Sequence, residues 1–264
     1  MPNRIRLLVV FLAVGAAALA GASRAFACGG SSGYTYAGMA SRLPRYGIAA
    51  RVTPLLGFDV VSGHVAGWVG VGGPGEGPRG SDEWIQIGLS GFPGVTGNDV
   101  YYEVALPHHY PAYHQVAADL PFGRTVKVAV LEMHNRPDWW RVWFDRHPVS
   151  RPIRLPDSHD RWSPIATAES WDGGSGGACN GFLYSFRDVA VAFAPGGGWR
   201  ALARNEKITS STTRLRRARA SFIAAEATRP SARCSPSARC SPSLPEPIGR
   251  ARLRPARVPR IVAA

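Results

Sequence analysis

Between Gly47 and Pro195 apolar and polar residues alternate, and Gly, Pro, Asn or Asp breaks the alternation at short intervals. The run Thr125-Val126-Lys127-Val128-Ala129-Val130 shows the pattern plainly. Successive side chains of a strand leave opposite sides of the backbone, so Val126, Val128 and Val130 share one face. The same reading marks strands at Ile48–Val52, Phe58–Val71, Trp84–Leu89, Val100–Leu106, Thr125–Met133, Trp139–Asp145, Val149–Leu155, Pro164–Ser170 and Leu183–Ala194. Trp139–Val149 reads as a hairpin, with Trp140 and Val142 on one face and Trp139, Arg141 and Trp143 on the other. No stretch of this region carries apolar residues at helical spacing behind a cap. Short punctuated strands without helices imply an all-β domain over residues 45–200, an antiparallel sandwich or barrel.

The flanks are of different character. Residues 1–27 read as an export signal: Arg4 and Arg6 precede the apolar stretch Leu7 to Ala20, and Ala25-Phe26-Ala27 supplies a small-x-small cleavage site. That stretch is shorter than the roughly 20 residues of a spanning helix, although an uncleaved anchor is the alternative reading. The expectation is a secreted or cell-envelope protein, monomeric, with no membrane span after cleavage. Residues 28–44 are Gly/Ser-rich and read as a flexible lead-in. Export permits disulfides. The pair expected is Cys28 with Cys179, which flank the β-rich region, and a lipid-modified Cys28 is the competing possibility.

The net charge of +13 is unevenly placed. Basic residues crowd into 201–264, whereas acidic and basic residues nearly balance over 28–200. A nucleic-acid footprint needs a basic stripe on the folded domain, so no specific nucleic-acid partner is expected. Within 201–264, Leu215, Ala218, Phe222 and Ala225 recur at helical spacing and suggest a basic helix over 213–228. The hexapeptide Pro230–Ser235 then repeats as Pro236–Ser241, and 229–264 reads as disordered, making 201–264 a largely disordered tail.

Four phrases carry Trp68, Gln86, Glu103 and Glu169 within strands: Gly67-Trp68-Val69-Gly70, Trp84-Ile85-Gln86-Ile87-Gly88, Tyr101-Tyr102-Glu103-Val104 and Ala166-Thr167-Ala168-Glu169. A polar group in such a place must find a partner or do chemistry. The order of these phrases resembles that of the eqolisins, the glutamic peptidases, over about residues 45–195. The resemblance implies an antiparallel two-sheet concanavalin-like sandwich (jelly roll) and an acid endopeptidase chemistry without a cofactor. A glutamate acts there as general acid/base and a glutamine helps to hold the oxyanion. Gln86 matches that glutamine. The resemblance places the glutamate four residues after Glu169, where this chain has Gly173, with Asp172 one residue short. Gly72 likewise stands where the family has an acidic residue. The candidate site is therefore Gln86, Glu169 and Glu103 for catalysis, with Trp68, Trp84, Tyr101 and Asp172 for substrate, and the activity is expected to be weak or lost.

The rival class is a non-catalytic module that binds an extended polypeptide or polysaccharide. Trp68, Trp84, Tyr101, Trp139 and Trp143 are then stacking surfaces. Glu132 reads as the exposed member of an alternating strand. His108, His109 and His114 lack the spacing of a metal site, and the expected metal set is empty. No phosphate-binding loop or nucleophile elbow is present in the sequence.

Overall fold

The computed structural model describes residues 33–175, 180–203, 205–209, 213–218 and 221–226. The export signal, Cys28, Cys179 and the segment 229–264 lie outside the described residues, and so does the expected disulfide. The strands are β1 (Tyr34–Ser41), β2 (Gly47–Pro54), β3 (His64–Gly73), β4 (Glu83–Gly91), β5 (Asn98–Ala105) and β6 (Ala112–Leu120). They continue as β7 (Val126–Glu132), β8 (Trp139–Phe144), β9 (His147–Pro148), β10 (Ile153–Arg154), β11 (Ile165–Trp171) and β12 (Leu183–Ala194). The last are β13 (Gly197–Ala201), β14 (Asn205–Thr209), β15 (Thr213–Ala218) and β16 (Ser221–Glu226). No helix among the described residues is long and apolar enough to cross a membrane.

Among the described residues the strands form two sheets. One has seven strands in the order β14-β1-β11-β3-β4-β5-β6. The other has nine, ordered β10-β8-β7-β2-β12-β16-β15, with β9 pairing β8 and β13 pairing β12. Neighbouring strands are antiparallel, both in consecutive pairs such as β3 with β4 and in pairs distant in the chain such as β11 with β3. The two sheets pack face to face as a sandwich. Val69, Ile85 and Ile87 of one sheet and Ile48, Val128 and Val130 of the other are all fully buried in one apolar cluster. Each such burial contributes about 1.5–3 kcal/mol.

The β8–β9 connection shows how local sequence sets register. Asp145 and Arg146 both have positive φ, 44° and 73°. A two-residue turn with both φ values positive matches the twist of the flanking strands, and Phe144 duly pairs with His147. Trp140 and Val142 face the core, at 1% and 0% exposure, as alternation requires.

Several expectations are corrected. The supposed flexible lead-in 28–44 contains β1, which lies inside the seven-stranded sheet between β14 and β11. The helix expected over 213–228 is instead the hairpin β15–β16, with Arg217 opposite Phe222. Phe222 is buried and stacks on Phe186 of β12, ring centroids 4.5 Å apart. Strands β14, β15 and β16, in a stretch read as the start of a disordered tail, thus extend both sheets. Helical spacing lost because Phe222 and Ala224 also alternate at strand spacing, both buried, and β12 offered backbone partners. The segment around His114, where the alternation marked no strand, is β6, and Val149–Leu155 shrinks to Ile153–Arg154. Glu132 is wholly buried, not exposed: its Oε1 accepts the Asp138 N–H at 2.7 Å and faces His159 Nδ1 at 3.0 Å.

Candidate active site

The outer face of the seven-stranded sheet, turned away from the core, carries a groove of about 910 Å³. Its position follows from alternation. Ile85, Ile87 and Leu89 of β4 point into the core, so Trp84, Gln86 and Ser90 must point the other way. Register then assembles the neighbours. Gln86 stands opposite Glu103 of β5, and Glu103 opposite Tyr113 of β6. In the next row Thr167, Trp68, Gly88 and Tyr101 follow one another across β11, β3, β4 and β5. Beyond it, Tyr36 of β1 faces Glu169 of β11.

Trp68, Trp84, Gln86, Tyr101, Glu103 and Glu169 therefore line one groove. The floor is a small apolar cluster of Ala66, Trp68 and Tyr101 with Tyr36 and Ile165 against it. Gln86 and Glu169 are only 8% and 6% exposed. The Gln86 amide donates to the Tyr101 hydroxyl at 3.2 Å, leaving its second N–H available. The Trp84 indole N–H donates to Glu103 Oε1 at 2.9 Å. His64 Nε2 lies 3.4 Å from Glu169 Oε1.

Electrostatics favour protonated groups here. Burial pushes the Glu103 carboxyl above its ordinary value, the Trp84 hydrogen bond pulls it back, the Glu169 charge raises it and His64 lowers it. Burial and the charges of Glu169 and Glu103 push Tyr34 up to about 12, and Tyr101 is raised well above its usual range, chiefly by burial. Both phenols thus stay neutral donors at any ordinary pH.

Asp172 does not line the groove. It is 1% exposed, and its Oδ1 accepts the Gly174 N–H at 2.9 Å, bracing the turn after β11. Gly173 lies in the same turn at φ 71°, and a Cβ there would fall 2.4 Å from Ser62 Oγ. No glutamate fits at that position without rearranging the turn; the carboxyl that reaches the groove from this segment is that of Glu169. Gly72 is similarly constrained, with φ 79° and a would-be Cβ 2.3 Å from the Glu83 carbonyl oxygen. Trp139 and Trp143 belong to β8 in the other sheet and share no surface with this groove.

Sequence reasoning missed Tyr34, Tyr36, His64, Phe92 and Tyr113, all of which line the groove. The signal was present for some. Tyr34 and Tyr36 alternate as strand aromatics do, and His64 keeps step with Ala66 and Trp68. Glycines around the tyrosines masked the first pair, and β6 was hidden by Pro107, Pro111 and Pro121, which flank it.

No protein-family profile and no curated protein sequence matches the chain. Among solved structures it is similar to Scytalido-glutamic peptidase with a peptide-based transition-state analogue: TM-score 0.52 and 14% identity, covering 74% of this chain and 98% of that one. It is also similar to SCP-B, a member of the eqolisin family in complex with the tripeptide Ala-Ile-His, with TM-score 0.50 and 13% identity over 74% of this chain and 98% of that one. The chain therefore has the all-β, concanavalin-like two-sheet fold seen in the glutamic peptidases.

Proposed function

We propose that the groove on the seven-stranded sheet binds an extended polypeptide and cleaves it in acid, with Glu169 as general acid/base and Gln86 as oxyanion donor. The observation that carries this reading is that Gln86 and Glu169, both nearly buried, line one aromatic-walled groove in a glutamic-peptidase fold. A water held by the Glu169 carboxylate loses its proton to that carboxylate as its oxygen attacks the peptide carbonyl carbon. The carbonyl oxygen becomes an oxyanion and takes the free N–H of Gln86, a neutral donor that introduces no competing charge. Protonated Glu169 then passes its proton to the amide nitrogen, the C–N bond breaks, and an acid and an amine leave. Glu103 stays tied to Trp84 and shapes the wall beside Gln86. The Trp68 indole N–H is buried in the groove floor without a hydrogen-bond partner.

One observation favours a second reading, a peptide-binding groove without turnover. Both Gln86 and Glu103 are already hydrogen-bonded to groove aromatics. One assay separates the two: incubation of the exported protein with denatured protein substrate at about pH 3–5, the range suited to a carboxyl catalyst. Cleavage that falls about 10²–10³-fold in Gln86→Ala supports the peptidase, and Glu169→Gln should abolish it with the fold retained by circular dichroism. Peptide binding without cleavage leaves the binding module, and cleavage undiminished in both variants overturns the site.

A further inference from the structure

The outer face of the nine-stranded sheet, on the far side of the sandwich, holds a second groove of about 520 Å³ that the peptidase reading does not use. Its floor is made of alanines set side by side by register. Trp143 of β8 stands opposite Ala129 of β7, Ala129 opposite Ala49 of β2, and Ala49 opposite Ala190 of β12. From β8 to β12 is three strand spacings, ~14 Å. Trp143 closes one side, and Trp199 of β13, 40% exposed, closes the other. The charge is one-sided. Arg51 and Lys127 are cross-strand neighbours, and the β8–β9 turn brings in Arg146. Among the described residues Asp188 is the groove's single carboxylate, and it lies 3.1 Å from Arg51. Asp145, in the adjoining turn, spends its carboxylate on the Lys127 backbone N–H at 2.8 Å.

We infer that this groove binds an acidic polysaccharide, a glycan chain bearing uronate carboxylates or sulfates. Two indole faces around a flat methyl-lined floor offer what the apolar faces of sugar rings pack against. Lys127 and Arg146 then supply charge-assisted hydrogen bonds to the anionic substituents. A basic peptide is disfavoured by the same cations. A neutral glycan leaves them unused. The peptidase groove is the electrostatic opposite, since Glu103 and Glu169 line it with no Lys or Arg among the described residues. The two outer faces can therefore be occupied together, one holding the protein on an acidic matrix while the other faces polypeptide.

The test is titration of the full-length exported protein with polygalacturonate and with a neutral β-glucan, read by tryptophan fluorescence and calorimetry at fixed salt. The basic segment 201–264 also attracts polyanions, so groove variants carry the decision. Trp199→Ala removes an exposed ring at low risk to folding and should weaken polygalacturonate about tenfold. The double variant Lys127→Gln/Arg146→Gln should weaken it at least as much, while Glu169→Gln leaves it unchanged. Polygalacturonate binding undiminished in both groove variants would assign the affinity to the terminal segment and overturn the inference. Equal affinity for the neutral glucan, or no binding of polygalacturonate, would overturn it as well.

Discussion

Glu83→Gln is the perturbation with the sharpest consequence for stability. Glu83 opens β4 three residues before Gln86, is 0% exposed, and has no hydrogen-bond partner on either carboxylate oxygen. Burial, then the charges of Asp138 and Asp157, push its pKa from 4.5 to about 7, against a smaller pull downward from Arg161. Between those values the folded protein keeps a proton that the unfolded chain has released. Stability from this group is complete below about pH 4.5 and is lost as pH rises through about 7. At about 1.4 kcal/mol per pH unit, the ceiling on that loss is about 3 kcal/mol. Gln keeps the volume and the unpaired polar atoms but cannot ionise. Glu132 and His159 act in the same direction. Burial raises Glu132 against its hydrogen bonds, and although burial lowers His159, its bond to Glu132 lifts it above the ordinary value. Urea unfolding followed by tryptophan fluorescence at about pH 4.5 and about pH 8 reads the effect as a midpoint shift. Wild type should be markedly less stable at the higher pH. Glu83→Gln should match it in acid and exceed it by up to about 3 kcal/mol in alkali. A wild-type stability that rises with pH across this window, or an unchanged slope in the variant, would refute the reasoning.

Phe222→Ala should cost about 3–5 kcal/mol, because it empties a buried site stacked on Phe186; a loss under about 1 kcal/mol in urea unfolding would show that β16 does not belong to the sandwich. By the same logic a chain cut after residue 200 should unfold at lower urea than one cut after residue 228. Trp84→Phe keeps the ring but removes the donor to Glu103, so the Glu103 carboxyl, still desolvated, should titrate at higher pH in a carbon-13 NMR titration. No change there would mean that the indole bond does not act on the ionised form.

Alternation in the sequence determined which residues could share a face. Trp84 with Gln86, Tyr101 with Glu103, and Trp140 with Val142 are grouped by a period of two, whatever the sheets do. The two-sheet class was legible for the same reason: turn residues cut the chain into strands too short for anything but a sandwich or barrel. Which faces meet was not legible. Tyr36 and Glu169 are far apart in the chain and become neighbours only because β1 pairs β11. Trp68 and Trp143 look alike in sequence, yet inter-strand pairing puts them on opposite outer faces of the sandwich. The ends of the fold were hidden too. The segments that form β1, β14, β15 and β16 have compositions that local rules assign to linker, helix or tail, and backbone pairing with neighbouring strands decides otherwise. Local sequence fixes the facing of a side chain because strand geometry is local; partners depend on pairing between distant segments, and that is decided only when the two sheets close on a common core.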